Sequence, residues 1–494
     1  MNRARSTHRR TRPNGKGPQN AANGRDSAHT GPSEAAYQHI ILPWESQKWE
    51  LIKERLTPEI KSIAELDNRL VMLHSGKINA RILIDLFNKY FTDNTIHDQY
   101  TEADIVNKLL PLLRHLILNG KKIFAGKVLR VLTDGTCNIT ISRQQLAVLL
   151  ACGWFGLFNF YGVNHLSPGG AKLRNFSKFG FIDLFMSGNV HAFQCILRYF
   201  MRIDEYMNAK DTTIRELFEN SVVIYHRRHL LPQMTPNFAH SDKPLCDVDI
   251  GGPIDAFPEH IFKVNFSTPY ICENCFRDAT LNYEEIMFLT HPECIPATLL
   301  ISSLQDNDSV VILGAEKMST LSGFGSNVRY DSHYIYDPPY VRNSDSTENI
   351  IKSAIICIDA SRAYDSKEQL IRNFDRDLIK AYCGFSAFDF PDNTIMTGHW
   401  SSITFSGNTQ LKFLQQLLAA SICGKNIVYY ITSRDFEDQI DEFIKFVHET
   451  DLLVGELYQM YKILMERCLR GKMRLSEINI FDAIMDMDEI PSID

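Results

Sequence analysis

The chain has 494 residues, of which 44% are hydrophobic, 11% aromatic and 22% charged, with a formal net charge of -7. That length supports roughly two to four domains or one large catalytic unit, and the composition excludes a wholly disordered chain. The acidic balance gives no global reason to expect a polyanion, and without a run of about 18 apolar residues no membrane-spanning helix is expected.

Residues 1–35 lack the apolar periodicity needed to pack and carry Arg3, Arg5, Arg9, Arg10, Arg12, Lys16 and Arg25, so a disordered basic tail is expected. Its HRRTRP stretch could meet an import receptor or an acidic polymer such as RNA, or serve only for solubility. Residues 36–215 are expected to be mainly helical. Apolar residues recur at helical spacing from Ser46 to Phe91 and from Thr101 to Ile117. Ser142 is the expected N-cap of a mostly buried helix in ISRQQLAVLLACGWFGLFNF, Gly162 to Gly170 a loop, and HAFQCILRYFMRIDEYM from His191 a second amphipathic helix.

The pattern then changes. VVIYHR (222–227), HIFKVNF (260–266), SVVILG (309–314), SAIICIDA (353–360) and NIVYYI (426–431) are short β-rich runs, separated by helical patterns around Asn282 to Phe288, Ser366 to Ala381 and Leu411 to Ser421. This interleaving predicts a layered α/β unit over residues 216–475, with ligand loops at strand ends. Residues 331–350 read as a surface loop, Asp435 to Cys468 as packed terminal helices, and residues 476–494 as an acidic tail.

The eleven cysteines, from Cys137 to Cys468, form no dense framework and follow no apolar signal segment, so reduced thiols in a nuclear or cytoplasmic protein are expected. Cys272 and Cys275 in CENC have spacing that suits zinc or redox chemistry. Structural zinc needs two further ligands, and although His291 and Cys294 lie near in sequence the expectation is no metal and ordinary thiols. His226 and His229 in YHRRH read as surface residues, and the Arg227-Arg228 pair as a short positive patch that could touch a polyanion.

Several landmarks in one order resemble the poly(ADP-ribose) glycohydrolase family, over Ile141 to Gly455: ISRQQLAVLLACGWFGLF, FSKFGFIDLF with the ILRYFMRI helix, YEEIMFLTHPE, VVILGAEKMSTLSGFG, IICIDA, DLIKAYCGF, TGHW and LKFLQQLLAA. The resemblance implies a macrodomain-like mixed sheet flanked by helices, with a helical N-terminal accessory domain and no cofactor. It also implies that Glu285 protonates the departing oxygen of a ribose-ribose bond and then helps water attack, with Glu284 as its neighbour. A carboxyl group suits that task because it must deliver and then accept a proton. Taken alone, two glutamates before IMFL are an ordinary polar helical turn.

The chain departs from the family pattern around these acids. Where the family has three glycines and then Gln-Glu-Glu, this chain has ICENCFRDATLNY, with Cys272, Glu273 and Asn274 at the glycines and Tyr283 at the glutamine. Glycine lets backbone N–H groups approach a diphosphate and permits positive φ. Asn265 and Thr268 replace an Asp and an Asn that hold the terminal ribose. Met318 and Leu321 replace tyrosines, and in TGHWSSITFSGN, Phe405 and Gly407 persist beside Ser401, Ile403 and Ser406. Losing one oriented donor costs about 3 kcal/mol, and a shift of about 1 Å in reacting geometry costs another hundredfold. The expected function is therefore a family member that has lost hydrolysis and acts through an unidentified protein partner. Two alternatives stand beside it. One is a divergent active glycohydrolase in which Arg277, Asn282 or Asn408 replaces the glycine-loop contacts. The other is a non-hydrolysing reader of ADP-ribose or its polymer.

Overall fold

The computed structural model describes residues 39–133, 135–160, 179–252, 261–273, 280–335, 340–342, 348–361, 367–388, 393–400, 408–431, 434–470, 478–487 and 489–492. The expected basic tail, the loop at 162–170, Asn274, Cys275, Arg277, Phe405 and Gly407 lie outside these residues.

The N-terminal helices follow directly from apolar spacing. In Ile63–Leu73, Ile63, Leu66, Leu70 and Leu73 are buried, and Ser62 accepts the Glu65 N–H at 3.2 Å as the cap. Ser142 caps Arg143–Trp154 as expected, accepting from the Gln145 N–H at 3.2 Å while Gln145 reaches back to the Ser142 N–H. That helix is buried on nearly every side, which places it in the centre of the helical region. Val190–Met207 begins at an Asn189 cap, as the amphipathic pattern from His191 predicts.

The strands are β1 (Cys137–Ser142), β2 (Val222–His229), β3 (Val248–Gly251), β4 (Phe262–Ser267), β5 (Asp308–Leu313), β6 (Ser319–Ser322), β7 (Arg329–His333), β8 (Tyr340–Arg342), β9 (Asn349–Ile351), β10 (Ala354–Asp359), β11 (Thr394–Gly398) and β12 (Asn426–Tyr430). Eight form one mixed sheet in the order β1-β2-β5-β10-β4-β11-β12-β3. Pairing is antiparallel from β1 to β10 and parallel from β10 through β4, β11 and β12 to β3. The pairs β6-β7 and β8-β9 stand outside it.

The apolar runs of β5, β10, β11 and β12 are buried on both faces, and successive side chains enter different cores. Val310, Ile312, Ile355, Cys357, Met396 and Val428 pack with the N-terminal helices. Val311, Leu313, Ile356, Ile358, Ile395 and Ile427 pack with Lys367–Phe385, Thr409–Cys423 and the later helices. The expected mixed sheet flanked by helices, with a helical region preceding it, is therefore present.

Two buried ionic networks tie these layers together. At the junction of helical region and sheet, the Arg143 guanidinium bonds Glu293 at 3.0 Å, Glu316 at 2.8 Å and the Gly314 carbonyl at 2.8 Å. On the opposite face, Asp377 joins Lys412 and Arg376 and accepts the Ser361 N–H at 3.0 Å.

Four expectations need correction. Cys137–Ser142, within the stretch expected to be mainly helical, is the edge strand of the large sheet. Residues 331–350, expected as a loop, include parts of β7 and β9 and all of β8. Ile480–Met485, within the expected acidic tail, is a helix with Ile480, Phe481 and Ile484 buried. Arg227 belongs to no surface patch: it is fully buried and paired with Asp308, because it shares the inward parity of Val223 and Tyr225 on β2.

Candidate functional site

Glu284 and Glu285 lie in the first turn of Tyr283–Thr290, the helix that follows β4 and its loop. The negative side chains suit a helix N-terminus, where unpaired N–H groups and the dipole are positive. Both are buried, 3% and 2% exposed, and both are engaged within the protein. Glu284 accepts the Cys272 N–H at 2.6 Å and the Thr268 N–H at 3.3 Å. Glu285 accepts the Asn282 N–H at 2.8 Å, the N3 side of a capping box.

Cys272 has φ +57°, the left-handed region that glycine enters freely and that costs another residue about 1 kcal/mol or more. A cysteine thus adopts a backbone shape that glycine would enter freely, and its N–H points to Glu284. The next N–H, of Glu273, donates to the Tyr270 carbonyl at 3.0 Å. Cys272 is also disulfide-bonded, which corrects the expectation of ordinary thiols there.

The other expected ligand positions are similarly occupied. Asn265 is fully buried, accepts the Ser267 hydroxyl at 2.5 Å and donates to the Glu284 carbonyl at 3.5 Å. The Thr268 hydroxyl donates to the Tyr270 carbonyl at 2.7 Å. Met318 is buried, its N–H held by the Thr290 carbonyl, and Leu321 is buried opposite Tyr330 in the β6-β7 pair. Neither offers a broad face to a base. Asn265, Thr268, Tyr283, Glu284 and Glu285 therefore share one locality, whereas Met318 and Leu321 belong to the core behind it. Ser267 was missed by motif reading, although as a hydroxyl two residues past Asn265 it shares that residue's face of β4.

Burial, with the Glu285 charge adding to it, pushes the Glu284 carboxyl up to about 8, against the pull of the Cys272 and Thr268 amides and the Ser267 hydroxyl. The sign follows: the folded chain keeps a proton there that the unfolded chain has lost above its ordinary glutamate value. This contribution is complete in acid and is lost as pH rises toward 8. Between about pH 6 and pH 8 it amounts to about 2 kcal/mol of lost stability. Glu284→Gln, which cannot ionise, should remove that slope in urea unfolding measured at both pH values; an unchanged slope would contradict the assignment.

Among the described residues no group of three or more His, Cys, Asp or Glu is placed to hold a metal ion. Likewise, no helix among them is long and apolar enough to cross a membrane.

The sheet carrying this site matches the Macro domain fold of poly(ADP-ribose) glycohydrolase over residues 235–439, and the region before it matches the helical domain of the same enzyme over residues 97–227. The chain belongs to the poly(ADP-ribose) glycohydrolase family. It is similar to the probable poly(ADP-ribose) glycohydrolase 2 of Arabidopsis thaliana, 23% identical over 380 residues covering 65% of this chain and 68% of that protein. Poly(ADP-ribose) glycohydrolase 1 of the same plant is 24% identical over 439 residues, covering 72% and 77%. Poly(ADP-ribose) glycohydrolase 2 of Caenorhabditis elegans is 27% identical over 214 residues, covering 41% and 42%. The macrodomain match includes the glutamate pair and the glycine-free stretch from Ile271 to Tyr283.

Proposed function

We propose that this chain is a poly(ADP-ribose) glycohydrolase homologue without effective hydrolysis, acting through protein contacts in the nucleus or cytoplasm. One observation carries the reading: the N–H groups of Cys272 and Glu273, at two of the three glycine positions, already donate to Glu284 and to the Tyr270 carbonyl. A diphosphate needs those donors free and aimed outward. Each lost donor is worth about a hundredfold in rate, so two together are worth about ten-thousandfold.

Proton transfer has a parallel difficulty. A general acid must come within hydrogen-bond reach of the departing oxygen, while the Glu285 carboxylate is buried against the Asn282 N–H. Two of the three residues that a divergent active enzyme would recruit stand at helix N-caps. Asn282 is the N-cap of the glutamate helix, and the Asn408 side chain caps Thr409–Cys423 by accepting the Leu411 N–H at 3.0 Å.

Purified protein incubated with defined ADP-ribose polymer is expected to release no ADP-ribose above the buffer control, and Glu285→Gln is expected to change nothing. Turnover that disappears in Glu285→Gln would overturn the reading in favour of a divergent enzyme.

A further inference from the structure

The β6-β7 pair stands outside the large sheet, so β7 has no third strand to pair with. Two of its N–H groups go instead to side chains of the helical region. The Tyr330 N–H donates to Nδ1 of His191 at 3.2 Å, and the His333 N–H donates to the Asp98 carboxylate at 2.9 Å. His191 is buried in the first turn of Val190–Met207. The half-buried His333 ring stacks on Tyr100, with centres 5.3 Å apart and planes inclined at 22°.

These partners fix the charge state of both rings. A backbone N–H can only donate, so Nδ1 of His191 must keep its lone pair. Gln194, three residues on, sets the state of His333. Its carbonyl oxygen takes the Tyr90 hydroxyl and its amide nitrogen donates to the Asp98 carbonyl at 2.8 Å, which turns that nitrogen, a donor, toward Nε2 of His333 at 3.4 Å. Both contacts require a neutral imidazole. Burial holds both rings below the usual histidine range. Around His191, Asp93 and Asp331 favour a proton while Arg329 and Lys89 oppose it; around His333, Asp98 and Glu205 favour it and Arg198 opposes it.

The same hairpin lies against the glutamate helix. In its turn, Gly325 exchanges two backbone hydrogen bonds with Leu281, at 3.0 and 2.9 Å, one residue before the Asn282 cap. Leu321, Val328 and Tyr330 share a core with Ile286, Met287 and Phe288 of that helix.

We propose that neutral His191 and His333 latch the β6-β7 hairpin to the helical region, and that their protonation in mild acid releases it from its place beside the glutamate helix. A proton on Nδ1 turns the acceptor of the Tyr330 N–H into a donor and leaves that N–H stranded next to a new charge. An opened hairpin returns both rings to the ordinary range near about 6.5, so opening takes up protons and is favoured progressively as pH falls below that value. The latch belongs to the fold and holds whether or not the chain cleaves polymer.

The test is amide hydrogen exchange of the full chain at pH 7.5 and pH 5, corrected for the intrinsic pH dependence of exchange and read by mass spectrometry. Protection over Arg329–His333 is expected to fall at least about tenfold at pH 5, a factor that stranding one buried donor is worth, while Ala354–Asp359 keeps its protection. His191→Asn combined with His333→Gln offers amide oxygens that accept at either pH and take no proton, so the fall should disappear. If that double variant does not fold, His191→Leu, which removes the acceptor at every pH, is expected to lower protection of β7 already at pH 7.5. Equal protection of β7 at the two pH values in wild type, a fall shared equally by β10, or an undiminished fall in the folded double variant overturns the inference, as does unchanged protection in His191→Leu.

Discussion

Arg143→Ala is expected to lower the stability of the folded chain by about 3 to 5 kcal/mol, the cost of stranding buried charges whose partner has been removed. Arg143 opens the helix that Ser142 caps, and it is fully buried. Its guanidinium serves Glu293, Glu316 and the Gly314 carbonyl together, and Glu293 also accepts the Glu316 N–H at 3.0 Å. Burial pushes the Glu293 carboxyl up to about 7 even with Arg143 beside it, so its removal should drive protonation or local opening. Glu316 retains Tyr206 at 2.8 Å and Arg202 at 3.2 Å, which cushions it. Arg202→Met is the comparison: Arg202 is 23% exposed, so solvent screening holds its loss to about 1 kcal/mol or less. Urea unfolding midpoints at constant slope measure both. Equal effects at the two arginines would mean that Arg143 does not hold helical region and sheet together.

Asp377→Ala is expected to cost a similar amount, about 3 to 5 kcal/mol, on the opposite face of the sheet. Burial alone would raise Asp377, but Lys412 and Arg376 outweigh it and keep the carboxylate below its usual range. Burial lowers the Lys412 ammonium against the pull of the same carboxylate. The substitution also removes the acceptor for the Ser361 N–H and hydroxyl, at 3.0 and 2.9 Å, at the end of β10. Because the loss comes from a stranded ammonium, Asp377→Ala combined with Lys412→Met should be more stable than Asp377→Ala alone. A double variant that is worse by the sum of its parts would show two independent roles.

Much of this architecture is legible in the sequence because it depends on short-range pattern. The runs at 222–227, 309–314, 353–360 and 426–431 become strands, and Ser142 with Gln145 marks a helix start. Arg227 could have been placed correctly by the same logic, since it follows Val223 and Tyr225 at a spacing of two. β1 was equally readable from Ile139 and Ile141, but lay within a region dominated by helical spacing. The residue types around Glu284 and Glu285 can be read from the sequence, but the bonds they make cannot. That Cys272 would adopt a left-handed backbone while giving its N–H to Glu284, twelve residues on, is a tertiary fact. So is the meeting of His191 with the Tyr330 N–H, which no window along the chain contains. The sequence shows no glycine from Ile271 to Tyr283, but only the fold reveals where the Cys272 and Glu273 N–H groups donate.

The central claim is physical: protein groups already take up the places a pyrophosphate-linked nucleotide needs beside Glu285. The most direct measurement is a crystal structure of the full chain grown with ADP-ribose at saturating concentration. No nucleotide is expected at the C-terminal ends of β4 and β11, with the Cys272 N–H still on Glu284. Diphosphate oxygens within hydrogen-bond distance of the Cys272 and Glu273 N–H groups, and a ribose against Glu285, would contradict it.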